Sequence, residues 1–254
     1  KRQVWARVFT SRHNCDGVRV WESFFQVIAP IAISPEVVIE ISETLSEHVE
    51  SAVNFIGKFE DLLESNLARL IDHTNLKSDT KKSDIITLSE EAINLGFSSI
   101  CVNPVHIKIA CSVLKDETPK VGTVIGFPLG ADSAEMKYAE ARYLIHQGAE
   151  ELDMVINIGA LKNGETTILS KEIARVVDAA DGHCVKVIIE TCLLTKEEKI
   201  LASTIAEDQG ADFVKTSTGF STGGATIDDI RLIRKAVGKE MGIKASGGIR
   251  TLLD

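Results

Sequence analysis

Hydrophobic and polar positions follow two regimes along the chain. Residues 1–33 show no sustained helical or strand period, although both tryptophans, Trp5 and Trp21, lie there. Ser34-Pro35-Glu36 reads as a helix start: a capping hydroxyl, a proline in the first turn and an acid near the positive end of the helix dipole. The stripe Val38, Ile41, Leu45, Ala52 and Phe55 predicts a helix to about Gly57, and a second short helix fits Phe59 to Ala68. From Leu70 onward short β-rich runs alternate with longer helical ones. The β runs are Leu70–Asp72, Ser99–Val102, Val121–Ile125, Leu152–Ile156, Val185–Glu190, Phe213–Lys215 and Gly242–Lys244. The helical stretches are Ser83–Leu95, Ala134–His146, Ile168–Ala180, Lys196–Asp208 and Ile227–Val237. Gly96, Gly148 and Gly210 each end a helix just before a new strand.

Alternating strands and helices with short links imply parallel strands joined by crossovers, arranged as an open doubly wound sheet or a closed (β/α)8 barrel. Two observations favour the barrel. Neither a GxGxxG after the first strand nor a P-loop is present. Polar residues also recur at the predicted C-terminal ends of many strands: Asp72, Asn103, Asp153, Asn157, Glu190, Lys215 and Lys244. In a barrel those ends share one mouth, where the chemistry sits. Seven β runs are one short of closure. The expectation is therefore an α/β fold of the TIM-barrel type, truncated after its seventh strand. It comprises an N-terminal, helical extension over residues 1–58 and a barrel over 59–254. The missing strand would leave unpaired edges at Leu70–Asp72 and Gly242–Lys244, which Val18–Trp21 is just long enough to fill.

The composition suits a folded globular chain: 44% of residues are hydrophobic and 26% charged, enough apolar material for a core without covalent staples. A net charge of −9 argues against nucleic acid or an anionic membrane as partner, while a local basic patch could still hold a phosphate. No apolar run reaches the roughly 18–20 residues of a spanning helix. Five cysteines without a CxxC pair argue against a disulfide framework and a zinc ribbon, and point to a reducing, cytoplasmic compartment. The basic opening lacks a secretory apolar segment and leaves a transit-peptide remnant open. No histidine pair has metal-ligand spacing, so no metal site is expected.

The sharpest chemical feature is a pair of lysines ending consecutive strands, Lys215 and Lys244. Adjacent strands lie about 4.8 Å apart. Two ammonium groups crowded into a low-dielectric mouth favour the neutral amine of one of them, and a neutral amine attacks carbonyls. A single strand-end lysine would more simply snorkel to solvent; two on neighbouring strands, each followed by small residues, tip the reading toward Schiff-base chemistry. Thr216-Ser217-Thr218-Gly219 and Ala245-Ser246-Gly247-Gly248 offer backbone N–H groups beside hydroxyls, as phosphate loops do, or as tight turns do. Asp153 sits within a strand whose period of two puts Val155 and Asn157 on the same face. It either relays protons or neutralises a lysine. Lys186 is a further inward candidate, best read as one half of a buried salt bridge. Cys101 reads as a small core residue that an aldehyde could trap if it faces the mouth. His73 reads equally as a substrate contact or a core residue.

The segments Ile71–Lys77, Ile100–Pro104, Gly126–Gly130, Glu151–Asn157, Val187–Thr191, Phe213–Gly219 and Lys244–Arg250, in this order, resemble the deoxyribose-phosphate aldolase family. The likeness runs from about Phe59 to Asp254. It implies a (β/α)8 barrel and a cofactor-free class I aldolase that reversibly cleaves 2-deoxy-D-ribose 5-phosphate to acetaldehyde and D-glyceraldehyde 3-phosphate, in deoxyribose catabolism. It places the Schiff-base lysine on Lys215, the lysine that depresses its pKa on Lys244 and the proton-relay acid on Asp153. It also places the acid that binds a substrate hydroxyl on Asp72, and part of the phosphate cradle on Gly219, Gly247 and Gly248. The implied partner is a phosphorylated sugar, and a homo-oligomer is left open. The family continues through an eighth strand with a Gly-x-Ser-Ser loop, so the resemblance implies a phosphate site that is incomplete over these 254 residues. Two other readings remain at this point: a Schiff-base barrel of the transaldolase or fructose-bisphosphate aldolase kind, and a non-catalytic fragment.

Overall fold

The computed structural model describes residues 67–249 in full and the backbone of residues 3–8. The chain divides into two compact units, one holding Lys1–Thr10 and Leu67–Arg250, the other mainly Ser11–Asn66. The helix predicted from Ser34 to about Gly57, all but the end of the one predicted from Phe59 to Ala68, and the stub at Val18–Trp21 lie outside the described residues.

Strand β1 is Gln3–Val8. It is followed by β2 (Ile71–Asn75), β3 (Ser99–Val102), β4 (Lys120–Ile125), β5 (Glu151–Val155), β6 (Cys184–Ile188), β7 (Phe213–Lys215) and β8 (Gly242–Ala245). Strands β2 to β8 pair in parallel, each with its sequence neighbour. These are the seven predicted strands, most within one residue of their predicted bounds. The helices between them are α1 (Lys82–Leu95), α2 (Ile107–Val113), α3 (Ala134–His146), α4 (Ile158–Lys162), α5 (Thr166–Ala180), α6 (Lys196–Asp208) and α7 (Ile227–Ala236).

The expectation of two bare edges needs correction. β1 pairs antiparallel with β2 on one side, Trp5 opposite Asp72, and with β8 on the other, Arg7 opposite Lys244. The ring of eight strands is thereby closed. The segment that takes the place is Gln3–Val8, and it runs against the other seven. Its backbone N–H and C=O groups occupy the ladders that would otherwise be unpaired.

Residues in register on parallel strands point to the same face, and the face alternates along each strand. One set is therefore inward: Asp72, Ser99, Cys101, Gly122, Val124, Glu151, Asp153, Lys186, Phe213, Lys215, Gly242 and Lys244. The alternate set, among them Ile100, Val102, Val121, Leu152, Met154, Val187, Val214 and Ile243, faces the helices and builds the main apolar core with Leu88, Leu144, Ile173 and Ile233. A second, small apolar cluster of Leu76, Cys101 and Val124, with Phe127 against it, is separate from that core. At Gly242 the Phe213 ring comes within 2.3 Å of where a Cβ would stand, so any larger residue would displace the ring from the barrel floor.

Caps fix the helix ends. Thr195 and Glu198 form a reciprocal capping box on α6, and Ser133 and Thr226 cap α3 and α7. Gly96, Gly148 and Gly210 all have positive φ after helices, as their positions in the sequence predicted. A buried lock joins two crossovers. Lys137 Nζ on α3 donates to the carbonyls of Gly130 and Val155, at 2.9 and 2.8 Å, and meets Glu172 Oε2 of α5 at 2.6 Å. Glu172 Oε1 accepts the Asn157 N–H at 2.6 Å. The lock ties the loop after β4 to the end of β5, the strand that carries Asp153.

Candidate active site

The inward set puts six ionisable side chains in one place. Asp72, Glu151, Asp153, Lys186, Lys215 and Lys244 are all fully buried. Register places Lys215 beside Lys244 and Asp153 beside Lys186. Lys215 Nζ donates to Asp153 Oδ2 at 2.6 Å, and Lys244 Nζ lies 3.2 Å from the same oxygen. Lys244 also contacts Asp72 Oδ2. Below them Lys186 Nζ touches Asp72 Oδ2 at 2.9 Å, Glu151 Oε2 at 2.6 Å and Asp153 Oδ1 at 3.0 Å. Three carboxylates face three amines, which is how buried charge is tolerated.

The electrostatics separate the roles. Burial pushes the Lys215 amine below its usual range. Asp153 opposes this and Lys244 reinforces it, and the lowering side wins. Burial alone would raise Asp153, but Lys186, Lys215 and Lys244 outweigh it and hold the carboxyl well below the ordinary range. Cys101, on the wall of the same interior, is pushed up to about 11, chiefly by burial and then by Asp153, so it remains a thiol at neutral pH. The arrangement pairs an amine biased toward its neutral, nucleophilic form with a carboxylate in hydrogen-bond contact.

Each predicted residue can now be placed. Lys215, Lys244, Asp153 and Asp72 are together. Lys186 makes the buried salt bridges expected of it, to three acids rather than one. Asp72 is not at a strand end: β2 runs on to Asn75, because Thr74 and Asn75 continue the ladder with Cys101 and Val102, so Asp72 lies below the mouth. His73 faces outward, its Nε2 2.8 Å from Glu91 Oε2 of α1. Asn103 donates to the Lys77 carbonyl and Asn157 caps α4, so both serve local structure. Glu151 was missed by sequence reasoning. Its signal was its period-two relation to Asp153, which puts it on the same face one layer down.

The loops after β7 and β8 are stitched to each other. Thr216 Oγ1 accepts the Ser246 N–H and Ser246 Oγ accepts the Ser217 N–H, both at 3.0 Å. Ala225 N–H donates to the Gly247 carbonyl at 2.9 Å. Gly219, Gly247 and Gly248 have φ of 82°, 81° and 87°, which non-glycine residues rarely adopt. Among the described residues no hydrogen bond engages their N–H groups, and the space beside Gly248 is open. The three glycines thus sit at the head of the strands that carry Lys215 and Lys244. Among the described residues no group of three or more His, Cys, Asp and Glu is placed to hold a metal, and no helix is long and apolar enough to cross a membrane.

Residues 67–254 match the family model described as DeoC/LacD family aldolase. A deoxyribose-phosphate aldolase of Thermococcus gammatolerans is 57% identical over 190 residues, covering 73% of this chain and 84% of that one. One from Exiguobacterium sibiricum is 55% identical over 186 residues, with the same coverage of 73% and 84%. Among solved structures, the aldolase QR15 superposes with a TM-score of 0.69 at 38% identity, covering 72% of this chain and 82% of its own. The tetrameric deoxyribose phosphate aldolase of Aeropyrum pernix gives 0.66 at 33% identity, covering 71% and 76%. The matched stretch is the one that builds the parallel strands and their buried lysines, and with it the chain belongs to the DeoC/LacD family, as a class I aldolase and a lyase.

Proposed function

We propose that this chain is a deoxyribose-phosphate aldolase that reversibly cleaves 2-deoxy-D-ribose 5-phosphate to acetaldehyde and D-glyceraldehyde 3-phosphate, with Lys215 as the Schiff-base residue. The observation that carries the reading is the buried contact of Lys215 Nζ with Asp153, with Lys244 in register on the next strand. The names of the relatives that match over most of this chain support the substrate.

The neutral Lys215 amine attacks C1 of the open-chain sugar to give a carbinolamine, which loses water to form a protonated imine. The C3 hydroxyl then gives up its proton and C3 becomes the carbonyl carbon of glyceraldehyde 3-phosphate. The C2–C3 electron pair moves toward the imine, which becomes an enamine. Protonation at C2 and attack of water at C1 release acetaldehyde and regenerate the amine. Asp153, in contact with Nζ, exchanges the protons. Lys244 keeps Lys215 from holding its own proton. Asp72 anchors Lys244 and Lys186, and a substrate hydroxyl would add to those contacts. Gly219, Gly247 and Gly248 direct N–H groups at the 5-phosphate. A homo-oligomer, suggested by the tetrameric Aeropyrum pernix relative, and a cytoplasmic location complete the proposal.

The test is borohydride reduction in the presence of acetaldehyde, followed by peptide mapping. One label on Lys215 is expected. A label on Lys244 or Lys186 would reverse the assigned roles, and no label at all would defeat the reading.

A further inference from the structure

Glu190, two residues past β6, has no part in the mechanism above. Its backbone is left-handed, with φ 56° and ψ 66°, a conformation that non-glycine residues rarely adopt and that clusters at functional sites. Its side chain is 2% exposed. No lysine, arginine or histidine among the described residues forms a salt bridge with it. A buried carboxylate without a cation must be held by hydrogen bonds. Here Oε2 accepts both the Thr218 N–H, at 3.2 Å, and the Thr218 hydroxyl, at 2.5 Å. Thr218 Oγ1 in turn accepts the Phe220 N–H at 3.1 Å. The Phe220 ring meets Phe127 edge-on, with centroids 5.3 Å apart and planes at 88°, and Phe127 packs on the small apolar cluster beside Cys101.

The consequence is local and specific. Residues 218 and 220 are both fixed from the end of β6, and Gly219, with φ 82°, lies between them. Once both flanks are fixed, the direction of the Gly219 N–H is fixed as well. A strained backbone at Glu190 aims its carboxylate at Thr218, and one carboxylate oxygen orders the whole turn. We infer that Glu190 is a positioning residue for phosphate recognition, holding the loop after β7 so that the Gly219 N–H faces the 5-phosphate. The inference rests on the aldolase reading and deepens it: Glu190 touches neither the substrate nor the reacting atoms, and acts through Thr218.

The test compares 2-deoxyribose 5-phosphate with unphosphorylated 2-deoxyribose for Glu190→Ala, Glu190→Gln and Thr218→Val. Losing a hydrogen bond to a charged group is worth about tenfold. For Glu190→Ala the KM for the phosphorylated sugar should rise about tenfold, with kcat changed less than about threefold. The preference for the 5-phosphate should fall by the same factor of about ten. Glu190→Gln keeps a carbonyl oxygen for Thr218 and should recover most of that preference. Thr218→Val cuts the same link from its other end and should reproduce the loss, which decides the matter even if Glu190→Ala does not fold. Equal losses on both sugars would make Glu190 a structural residue and overturn the inference, as would an unchanged preference in Glu190→Ala or Thr218→Val. Acetaldehyde labelling of Lys215 needs no phosphate and separates the two failures. If the parent chain takes no label, the aldolase reading falls. If all variants label normally but the preference stays, only the Glu190 inference falls.

Discussion

Replacing Lys244 with methionine removes one charge from the interior while keeping most of the side-chain volume, and its effect on Lys215 can be worked from the geometry. Both amines contact Asp153 Oδ2, at 2.6 and 3.2 Å, so they stand no more than about 5.8 Å apart. At that separation, with an effective dielectric constant of about 20, two unit charges repel by about 3 kcal/mol. That repulsion acts to lower the pKa of Lys215. Burial, the largest cause of the lowered Lys215 value, remains in Lys244→Met, but the like charge beside it is lost. Asp72 and Asp153 also lose a cation, which strengthens their hold on the proton of Lys215. Both effects raise its pKa, so the neutral fraction at a given pH shrinks and imine formation moves to higher pH. The assay is the initial rate of acetaldehyde trapping by cyanoborohydride, read by intact mass across pH, after circular dichroism has established that the variant is folded. A midpoint shifted to higher pH is expected. A folded Lys244→Met chain whose midpoint moves by less than about 0.5 unit would show that Lys244 does not poise Lys215, and the two-lysine argument would fail.

Asp153→Asn should still form the trapped imine, because Lys215 remains, while turnover falls by about 10²-fold or more; near-normal turnover would make Asp153 a structural partner only. The native Asp153 carboxyl is held below its unfolded value, so its contribution to stability is present above that value and is lost as pH falls through the native one. Denaturant melts of the parent and Asp153→Asn should therefore converge as the pH drops below about 4. Lys186→Met strands Glu151, Asp72 and Asp153 with one cation fewer and should cost about 3–5 kcal/mol in urea unfolding. Adding Glu151→Gln should restore part of that loss, and a strictly additive double mutant would contradict the coupling.

The parallel strands were legible because runs such as Val185–Ile189 are almost continuously apolar and because glycines end several helices sharply. Two short helices, Ile107–Val113 and Ile158–Lys162, were not, since neither is long enough to display a helical period. Lys215 and Lys244 declared themselves by standing at the ends of consecutive strands. Their partners were harder: that Lys186 meets Asp72 depends on barrel curvature across 114 residues, which no local pattern encodes. Lys137 lies on a helix whose pattern gives no hint that its amine is buried against Glu172. Strand β1 was hidden for a different reason: Gln3–Val8 lies in the opening stretch that shows no sustained period in sequence, ahead of the β/α rhythm, and an antiparallel closure falls outside that rhythm altogether.

The six-residue charge cluster also has a consequence for timing along the reaction. Three acids and three amines balance only if Lys215 carries a proton. The form that attacks substrate, with Lys215 neutral, leaves the cluster with one negative charge in excess. The protonated imine puts a positive charge back on the same nitrogen, which stands 2.6 Å from Asp153 in the resting geometry. The barrel interior is thus electrostatically complete in the covalent intermediate and deficient in the attacking state that precedes it. Such an interior favours the electron-poor adduct over the free amine, and it does so without any change in the fold around it.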